Sequence, residues 1–462
     1  MIKQTLIDFF SSHPQKSLLI AYSGGIDSQV LLHCLGALKT QQAINSEIRV
    51  CHVNHGLSVN AVKWQTFAKT QCQLFGLPLD IIAVNVQAVA QKSLEALARD
   101  ARYQALQTVS KSGDLIVTGH HSDDQAETFL LALKRGAGLK GLSAMQSEMT
   151  LGQQLLVRPL LTVSRAEIEG YAKEHGLVWI EDESNTDERF DRNFLRHQVL
   201  PTLNQRWPSI NKTIARSAEH CVEAQQLLDE LAQQDLMACQ SSPNKLSVVD
   251  LNKLSQARLK NLLRYFLSCH GFLMPSQQQL MQICQQLNAQ ADKSPVVQLA
   301  ECCIRRYKGE LHLTSIYHDL SLWQQRVALA RLADDKPLNV SLPDLLGWLS
   351  FSNLSAQAQE NSDWQSVIKK PAEHQKVTIC FSHENPRCLP QYRQHSRPLK
   401  KVLQELAIPT WQRKRLPFLF YDNELVAVVG QFVCQSYLAE NSSGAAKSDS
   451  VFTLSWHGQL PL

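Results

Sequence analysis

Along residues 1–215, short apolar runs alternate with stretches whose apolar residues recur at helical spacing. Leu18-Leu19-Ile20-Ala21-Tyr22 reads as a buried strand and is followed by Gly24-Gly25 and a helix over Gln29–Leu38. Ile48–Val53 is a second strand, with a helix through Val62, Phe67 and Ala68. Leu79–Val84 is a third, with a helix over Ser93–Val109. Leu115–Gly119 is a fourth, leading into a helix over Asp123–Leu133. Runs that are apolar throughout, rather than at every second position, belong to strands covered on both faces; alternated with helices they predict a parallel sheet. Ligands of such sheets bind beyond the carboxyl ends of the strands. From about Trp207 the alternation stops. Residues 209–290 read mostly helical, with Pro275 and Pro295 as punctuation, and Ser352–Ser362 reads as a polar linker or surface loop. Strand signals return at Val377–Cys380 and Leu425–Val429, on either side of a helical Lys400–Leu406. The expected fold is α/β: a parallel sheet, then a mostly helical domain, then a small α+β domain. The expected bounds are 1–215, 216–350 with a linker to about 370, and 371–462.

Composition narrows the classes. The chain has 462 residues, 44% of them hydrophobic and 19% charged, which suits packed domains and excludes a disordered polyelectrolyte. No apolar run approaches the ~20 residues of a membrane span, and the first residues lack a basic-then-apolar leader, so the expected location is cytoplasmic. None of the twelve cysteines forms a C-x-x-C pair, which removes the commonest zinc and iron–sulfur spacings and leaves buried thiols as the expectation. A formal charge of +4 identifies no partner, and one chain leaves an oligomer possible.

The chemistry gathers where the first strand ends. In Ser23-Gly24-Gly25-Ile26-Asp27-Ser28 two glycines let the backbone approach a ligand, and the N–H groups opening the next helix offer positive charge to an anion. Ser23 and Ser28 add hydroxyls, and Asp27 offers a carboxylate to a phosphate-bound magnesium ion. A Walker loop is absent: in its nearest candidate, Gly136–Ser143, Leu142 stands in the lysine position. The S-G-G-x-D-S run resembles the pyrophosphate-binding loop of the N-type ATP pyrophosphatases, which split ATP to AMP and pyrophosphate while activating an oxygen of an acceptor.

Further motifs sharpen the resemblance: His52–Leu57, Glu95–Tyr103, Thr118–Thr128, Arg135–Leu142, Arg158-Pro159-Leu160-Leu161, Glu181–Asn185 and Arg192–Arg196. Together they are similar to the tRNA(Ile)-lysidine synthase family, closely over about the first 200 residues and more loosely near the C-terminus. The resemblance implies an enzyme that ligates L-lysine to C2 of the wobble cytidine of tRNA(Ile) with the anticodon CAU. ATP and Mg2+ serve an adenylated cytidine intermediate. Decoding then changes from AUG to AUA, and charging from methionine to isoleucine. It also implies Ser23, Gly24, Gly25, Ile26, Asp27 and Ser28 for ATP, and Asp124 and Glu127 for lysine. These two carboxylates lie three apart on one helix and can face one amine. Arg99, Arg135, Arg192 and Arg196 are phosphate candidates, because guanidinium forks match phosphate oxygens; Arg192 and Arg196 share a helical face. His52 and His55 have loose metal-site spacing but no third ligand nearby, and read as polar loop residues.

Between Arg387 and Arg415 eight basic residues stand against the single acid Glu405, with Tyr392 and Trp411 among them. Cations for phosphates and aromatics for stacking suit nucleic acid, and this run resembles the family's C-terminal domain apart from Thr410, where a second proline is usual. Lys400, Lys401, Trp411, Arg413 and Arg415 are therefore expected at tRNA. The rival readings are a tRNA sulfur transferase, an amide-forming ligase and a non-catalytic tRNA-binding protein. The first two usually need a cysteine pair, an iron–sulfur cluster or a glutaminase that is not evident here; the third would not need Asp27, Asp124 and Glu127 together.

Overall fold

Alternate residues of the first strand face opposite ways, and each set finds its own helices. Leu18, Ile20 and Tyr22 join Val50, Leu115 and Val157 in one core, and Leu19 joins Cys51, Ile116 and Leu156 in another. The computed structural model that shows this describes residues 1–13, 16–56, 60–85, 94–287, 295–329, 332, 336–353, 362–439 and 450–458. Leu57 and most of the polar stretch 352–362 lie outside them. The chain divides into two units, Met1–Leu228 and Asp229–Leu462.

In the first unit the strands are β1 (Leu18–Ala21), β2 (Ile48–Asn54), β3 (Leu79–Ala83), β4 (Leu115–Val117), β5 (Glu148–Leu151) and β6 (Gln154–Val157), in the order β3-β2-β1-β4-β6-β5. Five are parallel, and β5 runs antiparallel to β6. The sheet is therefore mixed rather than all parallel. β5 and β6 form a hairpin whose turn begins at Gly152 with φ +63°, a conformation glycine adopts without strain. The helices are α1 (Ile2–Ser11), α2 (Ile26–Thr40), α3 (Ala61–Leu74), α4 (Leu94–Val109), α5 (Ser122–Lys134), α6 (Leu139–Leu142), α7 (Arg165–Glu174), α8 (Asp191–Phe194) and α9 (Leu200–Arg206). Residues from α1, α2, α3 and α7 share the core on one face, and α4 covers the other with Leu106. Arg49, on the α4 side, is paired at 2.5 Å with the buried carboxylate of Asp114. The unit's boundary falls inside α10 (Ile210–Cys239).

The second unit is not mostly helical. Helices over 256–269 and 277–286 pack Leu262, Phe266, Leu280 and Ile283 onto a five-stranded antiparallel sheet that carries Leu246, Ile304 and Leu311. Its central hairpin, Cys302–Tyr307 with Glu310–Ser315, turns through Lys308 and Gly309 at φ +45° and +79°. Beyond it a second five-stranded sheet, with Val377, Ile379 and Leu419, shares a core with a four-stranded sheet through Leu349, Phe351, Phe452 and Leu454. The helix Leu399–Glu405 packs on residues of the former, Phe418 and Val428, through Leu399, Val402 and Leu403. Strands of two to seven residues, most of them six or fewer, lack the long apolar runs that announce a sheet, so the helical stretches before them dominate the sequence pattern. Eight of the twelve free cysteines are buried. Among the described residues no helix is long and apolar enough to cross a membrane.

Candidate active site

β1 delivers the chain into the glycine loop, and Gly24 turns it at φ +88°. The Gly24 carbonyl accepts from the Ile180 N–H at 2.9 Å, and a Cβ on Gly24 would stand 2.7 Å from Ile180 Cδ1. Ser28 Oγ accepts from the Gly24 N–H at 3.1 Å and donates to the Gly25 carbonyl at 2.9 Å, and Ser23 Oγ lies 3.1 Å from it. Gly25 is the N-cap of α2 and no side chain caps that helix, which leaves its opening N–H groups to an anion. A residue that sequence reasoning had not singled out closes the back of the loop. Gly119, past β4, approaches so near that a Cβ there would lie 3.1 Å from the Asp27 carbonyl carbon.

Asp27 is gripped by another unexpected residue. Arg165 Nη1 donates to both its oxygens, at 2.9 and 3.0 Å. Burial pushes the Asp27 carboxyl up, against the opposing pull of His121 and Arg165. The one local signal for Arg165 is the capping box Ser164–Glu167, which places it at the first position of α7.

α5 opens with His121 as N-cap. The His121 N–H donates to Asp124 Oδ2 at 3.1 Å, and the imidazole accepts from the Asp123 N–H at 3.2 Å. Adjacent acids then take different roles. Asp123 accepts from the Arg165 N–H at 3.1 Å and from Asn211 at 3.0 Å, tying α7 and α10 to α5. Asp124 and Glu127 meet two guanidiniums. Arg192 donates to Asp124 at 3.0 Å and to Glu127 at 2.6 Å; Arg196 donates to Asp124 at 3.3 Å and to Glu127 at 2.7 and 3.0 Å. Arg192 lies on α8 and Arg196 on the π-helical turn Leu195–Val199 that carries α8 into α9. Glu127 is 1% exposed. Burial alone would raise the Asp124 carboxyl, but His121, Arg192 and His120 hold it well below the ordinary range. The predicted pair and the predicted arginines are thus one cluster, and both arginines rest on carboxylates.

His121 joins this cluster to the loop: its Nε2 lies 3.6 Å from Asp27 and 3.4 Å from Asp124. Burial, aided by the charges of Arg102, Arg158 and Arg192, pushes the His120 imidazole down to about 3, against Asp124. His52 is buried with Nδ1 at 3.0 Å from the Tyr22 carbonyl, and no group of metal-ligating side chains forms among the described residues. Arg135 is exposed at the end of α5, and Arg99 is exposed on α4.

The basic run of the second unit divides by burial. Lys400, Lys401 and Lys414 are exposed, and Arg413 is partly so, its Nε on the Ile408 carbonyl at 2.7 Å. Arg393 and Arg397 pair with Glu405. Trp411 and Arg415, expected at RNA, are 6% and 2% exposed. Arg415 is paired with Asp344 at 2.6 Å and lies 4.4 Å from the Tyr317 ring centre, while Trp411 packs edge-on against His312 and Tyr307 with Arg305 over its ring. These two side chains bind the unit's own parts together, because an arginine or tryptophan near cations serves packing as readily as stacking on a base.

A glycine loop opening α2 from the first strand of a mostly parallel sheet defines a PP-loop ATP pyrophosphatase, and residues 1–203 match the family model described as PP-loop domain. Residues 246–312 match the TilS substrate binding domain and residues 377–450 the TilS substrate C-terminal domain. The chain is 42% identical to the tRNA(Ile)-lysidine synthase of Serratia proteamaculans over 91% of this chain and 92% of that one. It is likewise 42% identical to that of Vibrio atlanticus over 94% and 97%. The chain belongs to the tRNA(Ile)-lysidine synthase family.

Replacing Arg415 by methionine is expected to destabilise the protein by about 1 to 3 kcal/mol, because Asp344 loses its buried guanidinium partner and keeps only the exposed His318. Lys400→Ala should change stability by less than about 0.5 kcal/mol, and thermal unfolding of the two variants checks the contrast.

Proposed function

We propose that the carboxyl edge of the sheet carries both half-reactions of lysidine formation. The C2 carbonyl of cytosine is a poor electrophile, since its oxygen leaves badly. Attack of that oxygen on the α-phosphorus of ATP expels pyrophosphate and leaves AMP on the base. The lysine side-chain amine then displaces AMP at C2. The observation that carries this reading is His121, one imidazole within 3.6 Å of both Asp27 and Asp124, which puts the nucleotide loop and the lysine cluster side by side.

The loop N–H groups and the Ser23 and Ser28 hydroxyls hold the pyrophosphate portion. Asp27 suits magnesium, which typically takes one or two carboxylates plus substrate phosphates; when bound, the ion would neutralise phosphate charge. Arg165 would then share or release the Asp27 carboxylate.

Asp124, Glu127, Arg192 and Arg196 alternate in sign, and that pattern fits a zwitterion better than a lone cation. The α-ammonium of free lysine would meet carboxylate and its α-carboxylate would meet guanidinium, leaving the side-chain amine for attack. That amine has a reference pKa of ~10.4 and must react neutral. His120, at about 3, is too weak a base to take its proton, so its service is hydrogen bonding. Lys400, Lys401 and Arg413 contact the body of the tRNA(Ile), and the reaction belongs in the cytoplasm with its substrates. The three matched stretches support a division of labour among catalysis, substrate binding and a C-terminal RNA contact.

Wild-type protein with ATP, magnesium, labelled lysine and an unmodified tRNA(Ile) transcript should place label in the RNA. Asp27→Ala should abolish both labelling and pyrophosphate release, and normal release from that variant would remove the loop from the chemistry. Asp124→Asn should raise the lysine KM about tenfold or more, as expected for a lost charged hydrogen bond, with the ATP KM nearly unchanged; equal effects on both would deny it a lysine role. Removing Lys400, Lys401 and Arg413 together should weaken tRNA binding and reduce the log–log salt slope by about 2 to 3. An unchanged slope would return these residues to the ordinary solvated surface.

A further inference from the structure

The hairpin Cys302–Tyr307 with Glu310–Ser315 has two unlike faces. Alternate side chains point opposite ways along a strand, and Ile304, Leu311 and Leu313 enter the core they share with the helices 256–269 and 277–286. The other face carries Arg305 and Tyr307 on one strand and His312 and Thr314 on its neighbour, with Arg305 directly opposite His312. A sheet face of this polarity ordinarily meets water. Here His312 and Thr314 are buried, and the segment 408–416 of the C-terminal core lies against this face.

That segment is fastened from two sides. Ile408 and Leu416 lie in the core that holds Leu399, Val402 and Leu403. Between them Trp411 meets the hairpin, its ring centre 5.8 Å from that of Tyr307 and 5.2 Å from that of His312, with the Arg305 guanidinium 5.4 Å away. Thr314 Oγ1 aims that guanidinium by accepting from its Nε at 2.9 Å. Arg305 also lies 5.5 Å from the Tyr317 ring centre, which Arg415 approaches at 4.4 Å. The Ile408 carbonyl closes the arrangement. It accepts from the Tyr307 hydroxyl at 3.4 Å and from Arg413 Nε at 2.7 Å, so the hairpin and a proposed RNA contact share one acceptor. Lys400 and Lys401 ride on the helix Leu399–Glu405, which is packed in the same core as Ile408.

We propose that Arg305 and Tyr307 are positioning residues for tRNA binding. Through Trp411 and the Ile408 carbonyl they hold the segment 408–416 on the hairpin, so that Arg413, with Lys400 and Lys401 on the same core, meets the RNA as a preset cationic surface. Neither residue touches RNA itself. Side chains already fixed lose little further freedom on association, and that loss otherwise weakens binding. The inference rests on Lys400, Lys401 and Arg413 contacting tRNA, as proposed above.

Binding of a tRNA(Ile) transcript is titrated with the full chain as wild type, Arg305→Gln, Arg305→Lys, and the triple variant Lys400→Ala, Lys401→Ala, Arg413→Ala with and without Arg305→Gln. Arg305→Gln should weaken binding about fivefold or more, the size of one desolvated cation–π contact. Arg305→Lys should lose less, and neither should alter the KM for ATP or for lysine. In the triple background Arg305→Gln should cost less than about twofold, since a residue that acts through those cations has nothing left to act on. Amide exchange over residues 408–416 should quicken in Arg305→Gln, while exchange over Leu18–Ala21 stays as in wild type. An equal loss in both backgrounds would make Arg305 an RNA contact in its own right, and unaltered affinity in the single variant would reduce the hairpin face to plain packing; either result overturns the inference. Should Arg305→Gln not fold, Tyr307→Phe, which removes only the hydroxyl on Ile408, carries the same cycle. A triple variant that binds tRNA as tightly as wild type would instead overturn the RNA contact proposed above, and amide exchange would still report whether the hairpin holds the segment.

Discussion

Two carboxylates cannot be buried side by side without cations, and that requirement organises the catalytic edge of this protein. Glu127 and Asp124 are both nearly inaccessible, and unpaired burial of either would cost several kcal/mol. Arg192 and Arg196 supply the partners from more than sixty residues further along the chain. To bring both guanidiniums to one face, the segment passes from α8 through a π-helical turn, a distortion that recurs at functional sites. The same helix start that presents Asp124 also uses it to cap α5, so the carboxylate has one oxygen anchored to backbone and the other given to arginine.

Placement along the strands explains why two chemistries fit one edge. β1 and β4 are neighbours, so the loops that follow them are neighbours too. Gly119 lets the second lie against the backbone of the first, since any side chain there would press on Asp27. His121 then reaches carboxylates of both loops. A nucleotide held by the first loop and an amino acid held by the second would be presented to a common base without any large movement of the scaffold.

The first unit was legible because its strands are buried on both faces and read as continuous apolar runs, Leu18–Tyr22 and Leu115–Val117 above all. The glycine loop and Asp124–Glu127 were legible because their chemistry is local, within six residues for the loop and one helical turn for the acids. What escaped was non-local or short. The β5–β6 hairpin and the hairpin through Lys308-Gly309 rest on strands of four to six residues, and their clearest signal is a turn residue at positive φ. Arg165 acts on Asp27 across 138 positions of sequence, which no spacing rule reaches. Trp411 and Arg415 sat in a basic run that looks like an RNA surface, but composition does not report burial. Asp344, the partner that draws Arg415 inward, lies 71 positions away.

The balance of charge at the edge bears on how selectivity arises. Asp27 with Arg165, and Asp124 and Glu127 with Arg192 and Arg196, are sets close to neutral. Attraction of an anion at this edge therefore falls to what is left over, among it the N–H groups of the open loop. Selection of lysine cannot come from net charge, because the cluster that would hold it has almost none. If the cluster holds lysine as proposed, the alternation of sign at hydrogen-bond spacing separates an α-amino acid from a simple amine, and the choice among amino acids falls to whatever meets the side chain. Strong ion pairs within the protein also mean that the ligand has to replace hydrogen bonds already made at 2.6 to 3.3 Å. Only a molecule that satisfies all four groups at once recovers what their separation costs, and discrimination follows from that cost.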